Sequence, residues 1–255
     1  MTSQIPRLGL ISALHQEQAG LIETMQDIEK TNRGMRDYTF GKLWGIDTVC
    51  VLSRMGKVAA AATAATLIER FAVTHIVFTG VAGAAGNELR VGDIVVADEL
   101  VQHDMNTTPL FPQYEVPLLG QSHFSSDKNL TDRLARAASD FAAHDAQGAI
   151  SEQDRESFHL GLPRVHRGLI ASGDEFVHRQ ERRDALKAAF PSLLALEMEG
   201  AAVAQVCFEF GVPFAVIRTI SDSANEEAPH DFMQFIDRIA SRYAFGIVKR
   251  LCTQA

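Results

Sequence analysis

Carboxyl groups can give and take protons in a transition state, and several fall where a ligand would meet them. In the stretch LLALEMEGAAVAQVCFEFGVPFAVIRTISDSA, residues 193–224, Glu197, Met198 and Glu199 close one apolar run. Asp222, just after Ser221, closes a second run that carries Arg218. Glu17, in His15-Gln16-Glu17-Gln18, follows a third apolar run, Leu8 to Leu14. Acids at such places also serve as helix caps or partners of the helix dipole. Three of them on one strand–helix–strand unit make that unit the first place to look for chemistry.

The elements that must position these acids can be read in outline. Leu193–Leu196 reads as a strand, Gly200–Phe210 as a tightly packed helix stopped by Gly211, and Pro213–Ile220 as another strand. Together they predict a right-handed parallel βαβ unit. Ligands bind beyond the carboxyl ends of such strands. Upstream, Leu8–Leu14 predicts a buried strand and the following residues a helix to about Lys30. Tyr38–Trp44 and Ile46–Ser53 predict a hairpin about Gly45, and an Ala-rich helix runs on to Phe71. Thr74–Thr79 predicts a parallel strand opening into a small-residue loop, Gly80-Val81-Ala82-Gly83-Ala84, that lets backbone approach a ligand. Gly92–Ala97 predicts a strand ending at Asp98-Glu99, and Ser126 to His144 a helix capped by Ser125 or Ser126. Residues 145–163 read as a surface excursion. Val165–Ala171 predicts a strand, His178–Phe190 a charged helix and Pro229–Leu251 a final amphipathic helix.

Hydrophobic residues make up 46% of the 255-residue chain and charged residues 22%, enough for a sizeable core. A net charge of −8 argues against sequence-independent nucleic-acid binding, which needs a basic face. Cys50, Cys207 and Cys252 are an odd number without metal-ligand spacing, which suits a reducing compartment. The apolar run near the N-terminus is short and weakly basic for a secretory signal, and no run approaches a membrane span. The expectation is a soluble cytoplasmic protein. Gly56-Lys57 lacks the spacing of a nucleotide triphosphate loop. His103-Asp104 lacks a third ligand, so no metal and no cofactor is expected. No repeat or linker divides the chain, and strands alternate with helices throughout. The fold expected is α/β, a single domain over residues 1–255.

The string LEMEGAAVAQVC followed by VIRTISD resembles the signature of the bacterial 5'-methylthioadenosine/S-adenosylhomocysteine nucleosidases, within the nucleoside phosphorylase superfamily. The resemblance covers nearly the whole chain, apart from residues 145–163 and the loop after Asp104. It implies a three-layer αβα sandwich about a central mixed, mostly parallel sheet. It also implies a small-molecule nucleoside substrate and a homodimer in which the loop after His103 completes the neighbour's pocket. By this resemblance Asp222 protonates N7 of the leaving purine, Glu199 binds the ribose 2'- and 3'-hydroxyls, and Glu17 deprotonates water with Arg218 nearby. Met198 packs on the sugar. Phe176, in Ser172-Gly173-Asp174-Glu175-Phe176, lies against the base. Val177, Glu197, Ser221 and Val81 are taken with them as substrate-binding positions.

The implied reaction is hydrolysis of the N-glycosidic bond of 5'-substituted adenine nucleosides. The family's phosphorylases place a phosphate-binding loop after the first strand, where this chain has Glu17. The alternatives are another purine nucleosidase, such as a futalosine-type hydrolase, or a non-catalytic nucleoside-binding protein of the same fold. Three positions depart from the family pattern: His15 stands where the family has an acid, Arg54 where it has a glycine, and Val81 where it has a water-holding serine.

Overall fold

The computed structural model describes residues 6–254. The chain opens with β1 (Leu8–Ser12), two short helices α1 (His15–Gln18) and α2 (Leu21–Thr24), and β2 (Gln26–Arg33), β3 (Arg36–Leu43) and β4 (Ile46–Leu52). Helix α3 (Lys57–Phe71), β5 (His75–Ala84), β6 (Ile94–Gln102) and β7 (His123–Ser125) follow. Then come α4 (Lys128–His144), α5 (Ala146–Ala149), α6 (Glu152–Ser157), β8 (Val165–Ser172) and α7 (Gln180–Ala189). The last part is β9 (Leu193–Glu197), α8 (Gly200–Phe210), β10 (Phe214–Asp222), α9 (Ala228–Phe235), a π-helical turn (Ile236–Ala240) and α10 (Ser241–Thr253). Among the described residues no helix is long and apolar enough to cross a membrane.

The described strands form one 10-stranded mixed sheet. Parallel ladders run through its middle: β1 with β4 and β5, β5 with β10, β6 with β8, and β8 with β9. Antiparallel ladders form the β2–β3–β4 edge, attach β7 to β6, and join β10 to β6 and β9 to β5. Followed round, β5, β10, β6, β8 and β9 return to β5, so this part of the sheet closes on itself. Closure leaves those strands without a free edge.

Helices cover both faces. The small residues of α3 and α8 pack on one, where Ala60, Ala64, Ala201 and Ala204 let helix backbone approach the strands. α4, the π turn and α10 pack on the other through Leu134, Phe141, Ile239 and Tyr243. The sandwich is therefore three layers deep, as expected.

Four local expectations fail, each for a physical reason. The helix expected to reach Lys30 breaks at Gly20 (φ 88), and Gln26–Arg33 becomes an exposed edge strand held by its ladder to β3. That strand has no apolar alternation, so only the backbone pairing creates it. The Gly80–Ala84 loop is instead the end of β5, paired on both sides. The expected parallel βαβ unit is absent, because β9 and β10 are not neighbours and both pair with β5, in opposite senses. The strand expected to end at Asp98 passes through a register shift there and continues to Gln102.

Smaller differences lie farther from the acids. Asp127, not a serine, caps α4 by accepting from Leu130 N. The 145–163 excursion contains α5 and α6 and buries Ile150. The final helix is α9 and α10 joined through the π turn.

Candidate active site

Closure of the sheet gathers the acids. Gly83, near the end of β5, lies opposite Leu196 of β9 on one side and Asp222 of β10 on the other. Because β9 runs against β5, the carboxyl ends of all three strands overlap at this seam. The fit leaves no room for a side chain at Gly80 or Gly83 of β5. A Cβ at Gly80 would stand 2.9 Å from Glu17 Oε1, and one at Gly83 would stand 2.8 Å from Asp222 Oδ1.

Glu197 anchors the seam. Its carboxylate accepts from Glu199 N at 3.2 Å, from Gly200 N at 2.8 Å and from the Ser172 hydroxyl, and pairs with Arg218 at 2.6 Å. It thereby takes orphan N–H groups at the start of α8, while Ser172 Oγ accepts from Ala201 N at 2.7 Å. Arg218 is 1% exposed. Besides Glu197 it donates to the carbonyls of Phe78 and Ile217, and its guanidinium lies 4.1 Å from the centroid of the Phe78 ring.

Three other acids are buried with fewer ties. Glu17 Oε2 accepts from Ala13 N and Leu14 N, both at 2.8 Å, and Oε1 accepts from Val81 N at 3.1 Å. Burial raises its pKa, opposed by these N–H groups and by Arg218. Glu199 accepts from Gly56 N at 2.8 Å. Burial, then the charge of Glu197, pushes it up to about 8. Asp222 accepts from Ala224 N at 2.9 Å and from the Ser221 hydroxyl at 2.8 Å, and burial pushes it up to about 6. Carboxyl groups with proton affinities moved toward neutrality in one cleft are suited to proton transfer.

These three acids line one cleft of about 550 Å³. The same cleft is lined by Val81, Phe176, Val177, Glu197, Met198 and Ser221. Every substrate-site position read from the sequence is thus at this cleft except Arg218, which lies beneath it. Phe176 meets Phe232 of α9 edge to face, with ring centroids 5.6 Å apart. Phe232, Met55 and Leu14 also line the cleft and were not singled out in the sequence. Nothing distinguishes Phe232 from a core aromatic of an amphipathic helix until α9 is seen to overhang the cleft. The lining contains no Lys or Arg among the described residues.

The cleft, with aromatic walls and buried acids, is set at the closure of a mixed sheet between helical layers. Residues 7–253 match the family model of the phosphorylase superfamily, and the chain belongs to that superfamily. It is 36% identical over 247 residues to the 5'-methylthioadenosine/S-adenosylhomocysteine nucleosidase of Shewanella denitrificans, covering 96% of this chain and 98% of the relative. A relative of the same name from Anoxybacillus flavithermus is 38% identical over 234 residues, covering 91% of this chain and 92% of the relative. Among solved structures, the Neisseria meningitidis nucleosidase of that name, in complex with methylthio-immucillin-A, matches with a TM-score of 0.86 at 34% identity. The match covers 98% of this chain and 100% of that one. The futalosine hydrolase of Helicobacter pylori strain 26695 matches with a TM-score of 0.80 at 31% identity, covering 96% and 97%.

Proposed function

We propose that this protein hydrolyses the N-glycosidic bond of 5'-substituted adenine nucleosides, 5'-methylthioadenosine and S-adenosylhomocysteine, and releases adenine. The observation that carries hydrolysis is the charge of the cleft. Glu17, Glu175, Glu197, Glu199 and Asp222 line it without a Lys or Arg, and Arg218 is committed to Glu197 and two carbonyls. Phosphate needs several cationic or backbone donors, so water is the nucleophile this site suits.

Cleavage needs a protonated leaving base and a stabilised oxocarbenium-like sugar. Asp222, with its pKa pushed up to about 6, keeps roughly a tenth of its population protonated at neutrality, against well under a hundredth at the ordinary value, and gives its proton to N7. Glu199 binds the ribose hydroxyls, Met198 covers the sugar, and Phe176 and Val177 wall the base. Glu17 takes the proton from the attacking water as the C–N bond breaks. At Val81 the backbone N–H, which a serine there would equally supply, holds Glu17.

A homodimer and a cytoplasmic location belong to the same reading. Val58, Leu110 and Leu118 are each more than 80% exposed, and apolar exposure of this kind suits an interface. The free thiols Cys50, Cys207 and Cys252 suit a reducing compartment.

The test is incubation of the purified protein with methylthioadenosine, S-adenosylhomocysteine, 6-aminodeoxyfutalosine and inosine, with and without phosphate. Adenine release independent of phosphate is expected. Turnover that requires phosphate and yields a ribose 1-phosphate overturns the assignment. Preference for the futalosine compound moves it to the class of the Helicobacter relative, and binding without turnover makes it a nucleoside-binding protein.

A further inference from the structure

Phe176 lies in the segment between β8 and α7, where no ladder holds the backbone. Side chains hold it instead. Asp174, two residues before, donates its N–H to Asp104 Oδ2 at 2.9 Å and accepts from Lys57 N through Oδ1 at 2.8 Å. Lys57 Nζ returns to Asp104 Oδ1 at 2.6 Å, which closes a ring of three residues. The ammonium also reaches Gln102 Oε1 at 3.0 Å, and Gln102 is braced in turn by Gln205 at 2.7 Å. One residue before Lys57, the N–H of Gly56 holds Glu199, and one before that, Met55 lines the cleft. Gly56 sits at φ 94, and a Cβ there would stand 3.1 Å from Asp174 Oδ1, so the ring is drawn tight around it.

We propose that the Lys57–Asp104–Asp174 ring sets the distance between the wall that receives the base and the carboxylate that receives the ribose, making Lys57 and Asp104 positioning residues for nucleoside binding. The inference rests on the roles proposed above for Phe176 and Glu199. Asp104 ties both sides at once: one carboxylate oxygen holds the Phe176 segment, the other holds the residue that starts α3 beside Glu199. Burial opposes its charge, yet the Lys57 ammonium and the Asp174 N–H keep its pKa below the ordinary value. The ion pair is partly screened, with Lys57 and Asp104 side chains 15% and 26% exposed, so its use is geometric more than energetic.

The test measures KM, kcat and melting temperature for Asp104→Asn, Lys57→Met, the double variant and Lys57→Arg, together with the Kd of adenine. Misplacement at a distance from the chemistry acts through binding geometry. The expected result is a KM for methylthioadenosine raised on the order of tenfold in each single variant, with kcat within about threefold. The double variant should be little worse than either single one, because both break the same ring. Lys57→Arg should recover most of the loss. Adenine, which touches only one wall, should lose less affinity than the nucleoside.

Unchanged KM in folded single variants overturns the proposal. So does a fall in kcat alone, or multiplicative losses in the double variant. If Asp104→Asn fails to fold, Lys57→Met carries the same comparison. If the unaltered protein binds but does not cleave nucleosides, the proposed function fails separately. The ring is then read from the calorimetric affinities of methylthioadenosine and adenine.

Discussion

Replacing Arg218 with methionine is the sharpest test of the electrostatics of the site. The guanidinium is the buried partner of Glu197, at 2.6 Å, and it lowers the proton affinity of both Glu17 and Glu199. Met approximates the length of the side chain and removes the charge. Removing one partner of a buried pair costs roughly 3–5 kcal/mol, because the other charge is left uncompensated. Loss of the stacking on Phe78 adds to this, on the order of 1 kcal/mol. For a chain of this size the expected fall in melting temperature is roughly 8–24 °C.

The kinetic sign follows from the same contacts. Without Arg218 both Glu17 and Glu199 hold their protons more tightly, so less Glu17 is ionised at a given pH. The acid limb of the turnover profile should move to higher pH. Thermal melts by circular dichroism and a pH–rate profile on surviving protein read the two effects separately. Adding Glu197→Gln should recover part of the stability, since the orphaned charge is then gone. A melting temperature within about 2 °C of the unaltered protein, together with an unmoved acid limb, would refute the reasoning.

Asp222→Asn should cost ~10²–10⁴-fold in turnover, measured as adenine release, because Asn cannot give N7 a proton. The same change should stabilise the fold at neutral pH. The folded pKa of Asp222 is about 6 against an ordinary 3.8, so the aspartate form loses stability as pH rises through that window. Asn escapes this loss, and denaturant melts above pH 6 should show a gain of roughly 1–3 kcal/mol. Glu17→Gln should lose turnover on a similar scale while still binding an uncleavable analogue by calorimetry. Glu199→Gln should weaken binding and turnover together, since the hydroxyl contacts proposed for it are made before reaction. Val81→Ser should change turnover by less than about threefold, because the backbone N–H that holds Glu17 is kept by either residue.

Much of the layer architecture was legible because α3, α4 and α8 carry strong helical signals and β1, β4 and β10 each hold a short apolar run. The acids were legible as a set because each ends an apolar run or follows one. The way they meet was not. Local pattern shows that β9 and β10 are strands, but it holds no record of which strand lies between them or in which sense. Gly80–Ala84 reads as a loop since glycine and alanine are weak strand formers. The two glycines are demanded instead by Glu17 pressing on Gly80 and Asp222 on Gly83. Arg218 reads as a site residue only through the family resemblance, while its buried partners Phe78 and Glu197 lie on strands distant in sequence. Phe232 escaped because an aromatic on an amphipathic helix reads as core.

The seam at Gly83 also bears on how the molecule acquires and keeps its activity. Leu196 and Asp222 reach Gly83 from far downstream in the chain, and pairings of such long sequence separation form slowly. The helices can all be present before the carboxylates face one another, so recovery of adenine release in a refolding experiment times the closing of the seam. By the proposed function, a nucleoside held between Glu199 and Asp222 spans that seam from the end of β9 to the end of β10. It acts as a clasp, and the native state it grips gains RT ln(1 + [L]/Kd) of stability, about 2.7 kcal/mol at a hundredfold excess over Kd. Saturating ligand should therefore protect the amides of Gly83 and Asp222 from hydrogen exchange more than those of the exposed β2 edge.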